Sequence, residues 1–180
     1  ADLINIPIQA NFDDNLGPLD EGLKLQTNIQ PVMPFDLSED WNLITRTIIP
    51  LNSMPRGVDE ADFGLGDANT TLFLSPAKAS AVTWGVGPVI NFPSASNPER
   101  LGTGKWGLGP AGVIFIQTGR FTYGGLVNNV WSVAGDSDRE DYNRFLLQWF
   151  VNFNFGGGWA LGTVPIVTAD WNADSGEQWT

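Results

Sequence analysis

The chain has 180 residues and a formal net charge of −11, from 9 Lys and Arg against 20 Asp and Glu. That length suits one domain, and that charge argues against a phosphate-binding surface, which needs clustered cations, so nucleic acid is not an expected partner. Cys and His are both absent, which removes disulfides, thiolate chemistry, the commonest general base and the usual zinc ligand; no enzyme, cofactor or metal site is expected.

Gly (21), Phe (11) and Trp (8) are abundant, while long amphipathic runs of Ala, Leu, Glu and Lys are missing, so strands are favoured over helices. No run of about 18 apolar residues offers a transmembrane helix. Ala1–Ala10 lacks the basic start and apolar core of a signal peptide, so an exported form would be already processed or trimmed.

Alternation with period two is the main signal. Leu3–Asn11 reads as a weak strand. In Leu23–Phe35, Leu23, Leu25, Ile29 and Met33 oppose Lys24, Gln26, Asn28 and Gln30. Trp41–Leu51 sets Arg46 opposite Leu43, Ile49 and Leu51. Gly64–Ser75 is weaker; its Gly64-Leu65-Gly66-Asp67 lacks a full dinucleotide fingerprint and reads as a bend or bulge. In Ala81–Phe92, Val82, Trp84, Val86, Pro88, Ile90 and Phe92 oppose Thr83, Gly85, Gly87, Val89 and Asn91. Trp106–Thr118 is apolar on both parities around Val113-Ile114-Phe115-Ile116. Phe121–Val133 places Phe121, Tyr123, Val127, Trp131 and Val133 against Thr122, Asn128 and Ser132. The clearest case is Asn143–Phe155: Phe145, Leu147, Trp149, Val151, Phe153 and Phe155 oppose Arg144, Gln148, Asn152 and Asn154, with Leu146 and Phe150 intruding on the polar side. Trp159–Ala169 is a further weak strand.

The nine strands are long enough to cross a bilayer at a tilt, which takes about 9 to 11 residues, whereas soluble strands run nearer five or six. Long, mostly acidic connections (Asp13–Gly22, Asn52–Phe63, Pro93–Lys105, Ala134–Tyr142, Asp170–Gly176) alternate with short ones (Asp36–Asp40, Pro76–Ser80, Gly119-Arg120, Gly156–Gly158). Outer-membrane barrels have short periplasmic turns and long external loops, so the N-terminus is expected in the periplasm. Trp41, Trp106, Phe121, Tyr123, Trp131, Phe155, Trp159 and Trp171 fall near strand ends, as an interfacial girdle requires. The expected fold is an all-β, transmembrane, antiparallel up-and-down barrel forming one domain over residues 1–180, with a tenth strand starting at Gln178-Trp179-Thr180. Because barrels of this kind have even strand numbers and no open edge, about three C-terminal strands are expected to be missing.

Trp41-Asn42-Leu43-Ile44-Thr45-Arg46-Thr47, Gly64-Leu65-Gly66-Asp67, Trp84-Gly85-Val86-Gly87-Pro88, Leu101-Gly102-Thr103-Gly104-Lys105-Trp106, Val130-Trp131-Ser132-Val133-Ala134-Gly135-Asp136 and Asn172 before Trp179-Thr180 together resemble a bacterial outer-membrane family named for the meta-pathway of phenol degradation. The resemblance runs from about Leu3 to Thr180. It implies about twelve strands, an outer-membrane location and a transporter-like role, and brings no catalytic residues.

Lys24, Gln26, Asn28, Gln30, Arg46, Asn91, Asn128, Arg144, Gln148, Asn152 and Asn154 share the polar parity and are the expected lumen-lining residues. The three cations either form a stripe that guides anions or polar heads of aromatic solutes, or pair with lumenal carboxylates and carbonyls to fill the interior. Asp136-Ser137-Asp138-Arg139-Glu140-Asp141 offers oxygen ligands without calcium-hand spacing and reads as a solvated external loop. The expected function is passage of small hydrophobic or aromatic solutes through outer-membrane lipid. The alternative is a structural or adhesive envelope protein with a filled barrel that presents acidic loops or self-associates as a homo-oligomer. A soluble β-sandwich is a third reading.

Overall fold

The structure, a computed structural model, describes residues 4–16, 22–55, 61–78 and 80–179. Its strands are β1 (Ile8–Leu16), β2 (Gly22–Ile29), β3 (Val32–Asp36), β4 (Trp41–Pro55), β5 (Ala61–Leu65), β6 (Asn69–Pro76), β7 (Val82–Asn91), β8 (Lys105–Thr118), β9 (Phe121–Gly135), β10 (Asn143–Gly156), β11 (Trp159–Thr163) and β12 (Ile166–Asp170). All pairings are antiparallel, and all twelve segments belong to one sheet with the path β1-β2-β4-β6-β7-β8-β9-β10-β11. Three pairs of segments, β2 with β3, β5 with β6 and β11 with β12, lie end to end along one partner strand, so the chain crosses the sheet nine times. The antiparallel meander is therefore as expected, and the sheet is curled into a half-barrel. Its curl brings side chains of β1 and β12, at opposite margins of the sheet, to the wall of one cavity.

The interruptions have local causes. Pro31 has no N–H to give to the ladder between β2 and β3, yet the chain stays in place because its carbonyl accepts from Thr47 N at 3.0 Å. Gly66–Ala68 forms the expected bend between β5 and β6, and Val164-Pro165 separates β11 from β12. Several expected boundaries move. The first strand starts at Ile8 rather than Leu3 and runs to Leu16 into the segment read as loop; Asn5 makes only an isolated bridge to Val32. β4 continues past Leu51 to Pro55 because both β2 and β5 pair with that extension. The connection read as loop from Pro93 to Lys105 contains a single helical turn, α1 (Pro98–Leu101). It is the only helix among the described residues. Trp179 makes only an isolated bridge to Ala169, outside any strand.

Burial is inverted relative to a water-soluble sheet. The buried apolar residues Phe73, Val89, Ala111, Leu126 and Val130 sit on the concave side, together with the buried polar residues Gln30, Asn42 and Thr71. Opposite parity is apolar and uncovered: Val86, Leu108, Ile114, Val127, Leu147 and Val151 are all exposed. The accessible surface totals 11386 Å², about a third above the roughly 8,500 Å² expected of a monomer of this mass. A single sheet with both faces accessible accounts for that excess.

Aromatic rings gather at both ends of this convex face. Near the short turns, Trp41 meets Trp84 edge-on at 6.2 Å and Phe153 meets Phe121 and Phe155 at 5.0 Å. Near the long loops, Trp106 meets Phe92 at 5.4 Å, and Trp171 contacts Trp179 at 5.2 Å and Phe145 at 5.8 Å. Phe121 and Trp131 mark the two levels on β9; ten residues of strand tilted at about 40° separate them by roughly 25 Å along a barrel axis.

Two features set the local shape of the wall. The β8–β9 turn is the two-residue Gly119-Arg120, whose Gly119 has φ 57°, a left-handed conformation that a residue with a Cβ adopts at a cost. Across β7 and β8, Pro88 faces Pro110. The neighbouring ladders lapse there, between Thr71↔Val89 and Leu74↔Val86 on one side and between Leu108↔Trp131 and Ala111↔Asn128 on the other. The adjoining Gly87 and Gly109 draw close to the carbonyl oxygens of Leu72 and Asn129, where an added Cβ would overlap them. A glycine Cα hydrogen pointed at each carbonyl is a weak substitute for the N–H that proline lacks.

Candidate functional site

A cavity of about 470 Å³ lies on the concave face. Period-two geometry puts alternate side chains of every strand into it. Of the expected lumen-lining residues, Gln26, Asn28, Gln30, Arg46, Asn91, Asn128, Arg144 and Gln148 line it together. Lys24, Asn152 and Asn154 do not. Lys24 shares the parity but lies nearer the long loops, in register with Asp13, whereas Asn152 and Asn154 lie toward the short turns. There Asn154 Nδ2 donates to Arg120 O at 3.3 Å and Thr122 Oγ1 at 3.4 Å.

The amides form a relay that ends on Arg46. Gln9 Nε2 donates to Asn11 Oδ1 at 2.9 Å, Gln30 Nε2 donates to Gln9 Oε1 at 2.9 Å, and Arg46 NH2 donates to Gln30 Oε1 at 2.7 Å. The guanidinium therefore points away from the convex apolar face and rests on an amide rather than a carboxylate. Arg144 is held differently, by Asp170 at 3.6 Å and by the ring of Tyr142, whose centroid lies 4.8 Å from its Cζ. Of the two uses foreseen for these cations, carboxylate pairing holds for Arg144, while Arg46 retains donors that face the cavity.

A second cavity of about 370 Å³ continues toward the short turns. Ile44, Phe73, Val113, Phe115, Leu126 and Phe150 give it an apolar wall, and Arg46 and Gln148 belong to the walls of both cavities. The polar-face reading of β10 treated Phe150 as an intruder, yet it helps to build this chamber. Gln9, Asn11, Thr168 and Asp170 also line the polar cavity without having been singled out. The signal for the first two was their alternation with Ile8 and Phe12, which β1 places outward.

The long-loop end is organised by charge. Asp67, in the bend after β5, accepts from Thr103 N at 2.6 Å, Thr103 Oγ1 at 2.8 Å and Ala95 N at 3.1 Å, tying the α1 loop to the strand end. Arg100 pairs with Asp62, and Arg139 donates to the Pro98 carbonyl. Within the acidic run 136–141, Asp141 stays exposed, as a solvated loop requires, yet it has partners: Lys105 Nζ lies 2.8 Å from its Oδ1, and Ser132 Oγ donates to the same oxygen at 2.9 Å. No cluster of three potential metal-ligating side chains occurs among the described residues.

Hydrogen bonds from Lys105 first, then Ser132, hold the Asp141 carboxyl below its ordinary range. A depressed carboxylate contributes stability that is present above the unfolded pKa of about 3.9 and is lost as pH falls through the lower folded value. Protection of the Ser132 and Tyr142 amides, which bond to Tyr142 O at 3.0 Å and Ser132 Oγ at 3.1 Å, should therefore hold from neutrality to about pH 4 and decline on further acidification. Hydrogen-exchange protection factors that stay flat to about pH 2.5 would count against the assignment.

Compared with family models, curated proteins and solved structures, the chain gives no match.

Proposed function

We propose that the half-barrel is part of the wall of a closed transmembrane barrel of about twelve strands in the bacterial outer membrane, N-terminus in the periplasm, that passes small hydrophobic or aromatic solutes without acting on them chemically. The observation that carries this reading is the placement of tryptophan. All eight indoles are exposed, from 38% at Trp41 and Trp171 to 77% at Trp159. Indoles of water-soluble domains are highly buried on average, whereas rings at headgroup depth gain from an apolar body beside a wet N–H.

Three further features support the reading: the apolar convex belt, the roughly 25 Å between aromatic levels, and the segregation of amides and arginines to the concave side. The likeness to the phenol-degradation family rests on the sequence segments that carry it and points the same way. The cavities favour passage over the filled, adhesive barrel.

The test is reconstitution of the full chain into vesicles. Acyl-chain-brominated lipid should quench the tryptophan emission strongly, and the vesicles should swell in arabinose faster than protein-free controls. Emission indifferent to bromine, with the chain extracted from cells without detergent, would overturn the membrane reading. Strong quenching without permeability to any solute would leave the barrel and remove the passage.

A further inference from the structure

The two cavities differ in chemistry and meet at one charged side chain. On the polar side are amides, Arg46 and the Arg144–Asp170 pair, whose charges offset each other; on the other are three phenylalanines, Phe73, Phe115 and Phe150, with Ile44, Val113 and Leu126. Arg46 and Gln148, on strands that do not pair with each other, face the junction. Among the described residues no carboxylate lies within ion-pair distance of Arg46, and its hydrogen-bond partner is the neutral Gln30.

We infer that the two cavities are one binding site for a small amphipathic acid, an aromatic or short aliphatic body carrying a single carboxylate. The body fits the apolar cavity, whose 370 Å³ is more than twice the roughly 150 Å³ that suffices for benzene. The head meets Arg46 and Gln148. A guanidinium presents a planar fork that matches a carboxylate in two parallel hydrogen bonds, and one already committed to an amide keeps most of its five donors. Beside apolar walls such a pair is screened less than in bulk water. A cationic head would meet Arg46 as a like charge, and a neutral alcohol would supply one acceptor where two are matched. The inference rests on the concave face being the interior of the passage.

The experiment uses the full chain in lipid nanodiscs, titrated calorimetrically with 4-phenylbutyrate, 4-phenylbutanol and 4-phenylbutylamine against empty discs. The acid should bind at least about tenfold more tightly than the alcohol, and the amine most weakly. Arg46→Gln should bring the acid down to the level of the alcohol and leave the alcohol unchanged. Phe150→Asn should weaken acid and alcohol alike. Amine binding as tight as acid, acid preference surviving Arg46→Gln, or no acid binding at millimolar concentration would each overturn the site. If Arg46→Gln fails to fold, the order of the three probes on the unaltered protein decides alone. Arabinose swelling, measured in parallel, separates the two readings: swelling without acid preference removes only the site, and acid binding without swelling removes only the passage.

Discussion

Leu147→Arg should sharply reduce assembly into vesicles, while Gln148→Arg, one residue on, should leave it nearly unchanged. Leu147 projects from the convex face, level with Val127 on β9 and Val167 on β12, and is exposed there. In hydrocarbon an arginine at mid-depth costs roughly 2 to 4 kcal/mol, and mid-strand it has a long way to snorkel. Gln148 lies in the wall of the polar cavity, where a longer cation has room and water. Arg46 faces the same junction, so a second cation there meets like-charge repulsion, but it stays out of hydrocarbon. The measurement is urea-dependent folding into vesicles followed by heat-modifiable mobility. Equal loss in both variants would mean that the convex face does not meet lipid.

Gly109→Ala should be nearly as damaging as a charge in the apolar belt, though it adds one methyl group. A Cβ there would overlap the carbonyl oxygen of Asn129, and the obstacle is backbone, with no flexible side chain to yield. Overpacking in well-packed sites costs about 1 to 3 kcal/mol, and this position belongs at or above the upper end because β9 itself must retreat. Gly112→Ala, three residues later on the same strand, is the matched control. Its Cβ would meet Val127 Cγ1 at 3.8 Å, an ordinary contact, so the substitution should be neutral or stabilise by a few tenths of a kcal/mol through the unfolded chain. The same folding assay reads both. Similar midpoints for the two variants would show that the close approach at Gly109 is not required.

Much of this wall could be read from the amino acids because a one-residue slip sends every side chain to the wrong face. The alternation of Phe145 to Phe155 and of Val82 to Ile90 therefore carried both strand identity and facing, and the same period in 23–35 and 41–51 brought Gln26, Asn28, Gln30 and Arg46 into one cavity with Gln148. Where alternation failed, the reading stopped short. Val113 and Phe115 lie in a run that is apolar on both sides, because that stretch meets the apolar convex surface with one parity and the inner chamber with the other. Phe150 looked like noise for the same reason. Pairings such as Arg144 with Asp170 or Lys105 with Asp141 depend on which strands become neighbours, and nothing local encodes that. The α1 turn escaped notice because four residues carry no measurable helical period. Expected loop content at positions 17–21 and 56–60 lies outside the described residues.

The two-residue turns at Gly119-Arg120 and Gly157-Gly158 bear on how this wall is built in time. Closing so short a loop costs little entropy and takes well under a microsecond, against about 1 to 10 microseconds for a hairpin to zip. The β8–β9 hairpin keeps one register from Thr118↔Phe121 to Gly107↔Ser132 and shifts by a residue before Trp106↔Ala134, and the β10–β11 hairpin starts at Gly156↔Trp159. Both can therefore form from neighbours in sequence before any distant contact exists. Strand ordering should begin at the short-turn end of these hairpins and advance toward the charged loops, so that the knot of Asp67, Lys105, Arg139 and Asp141 is the last part to lock.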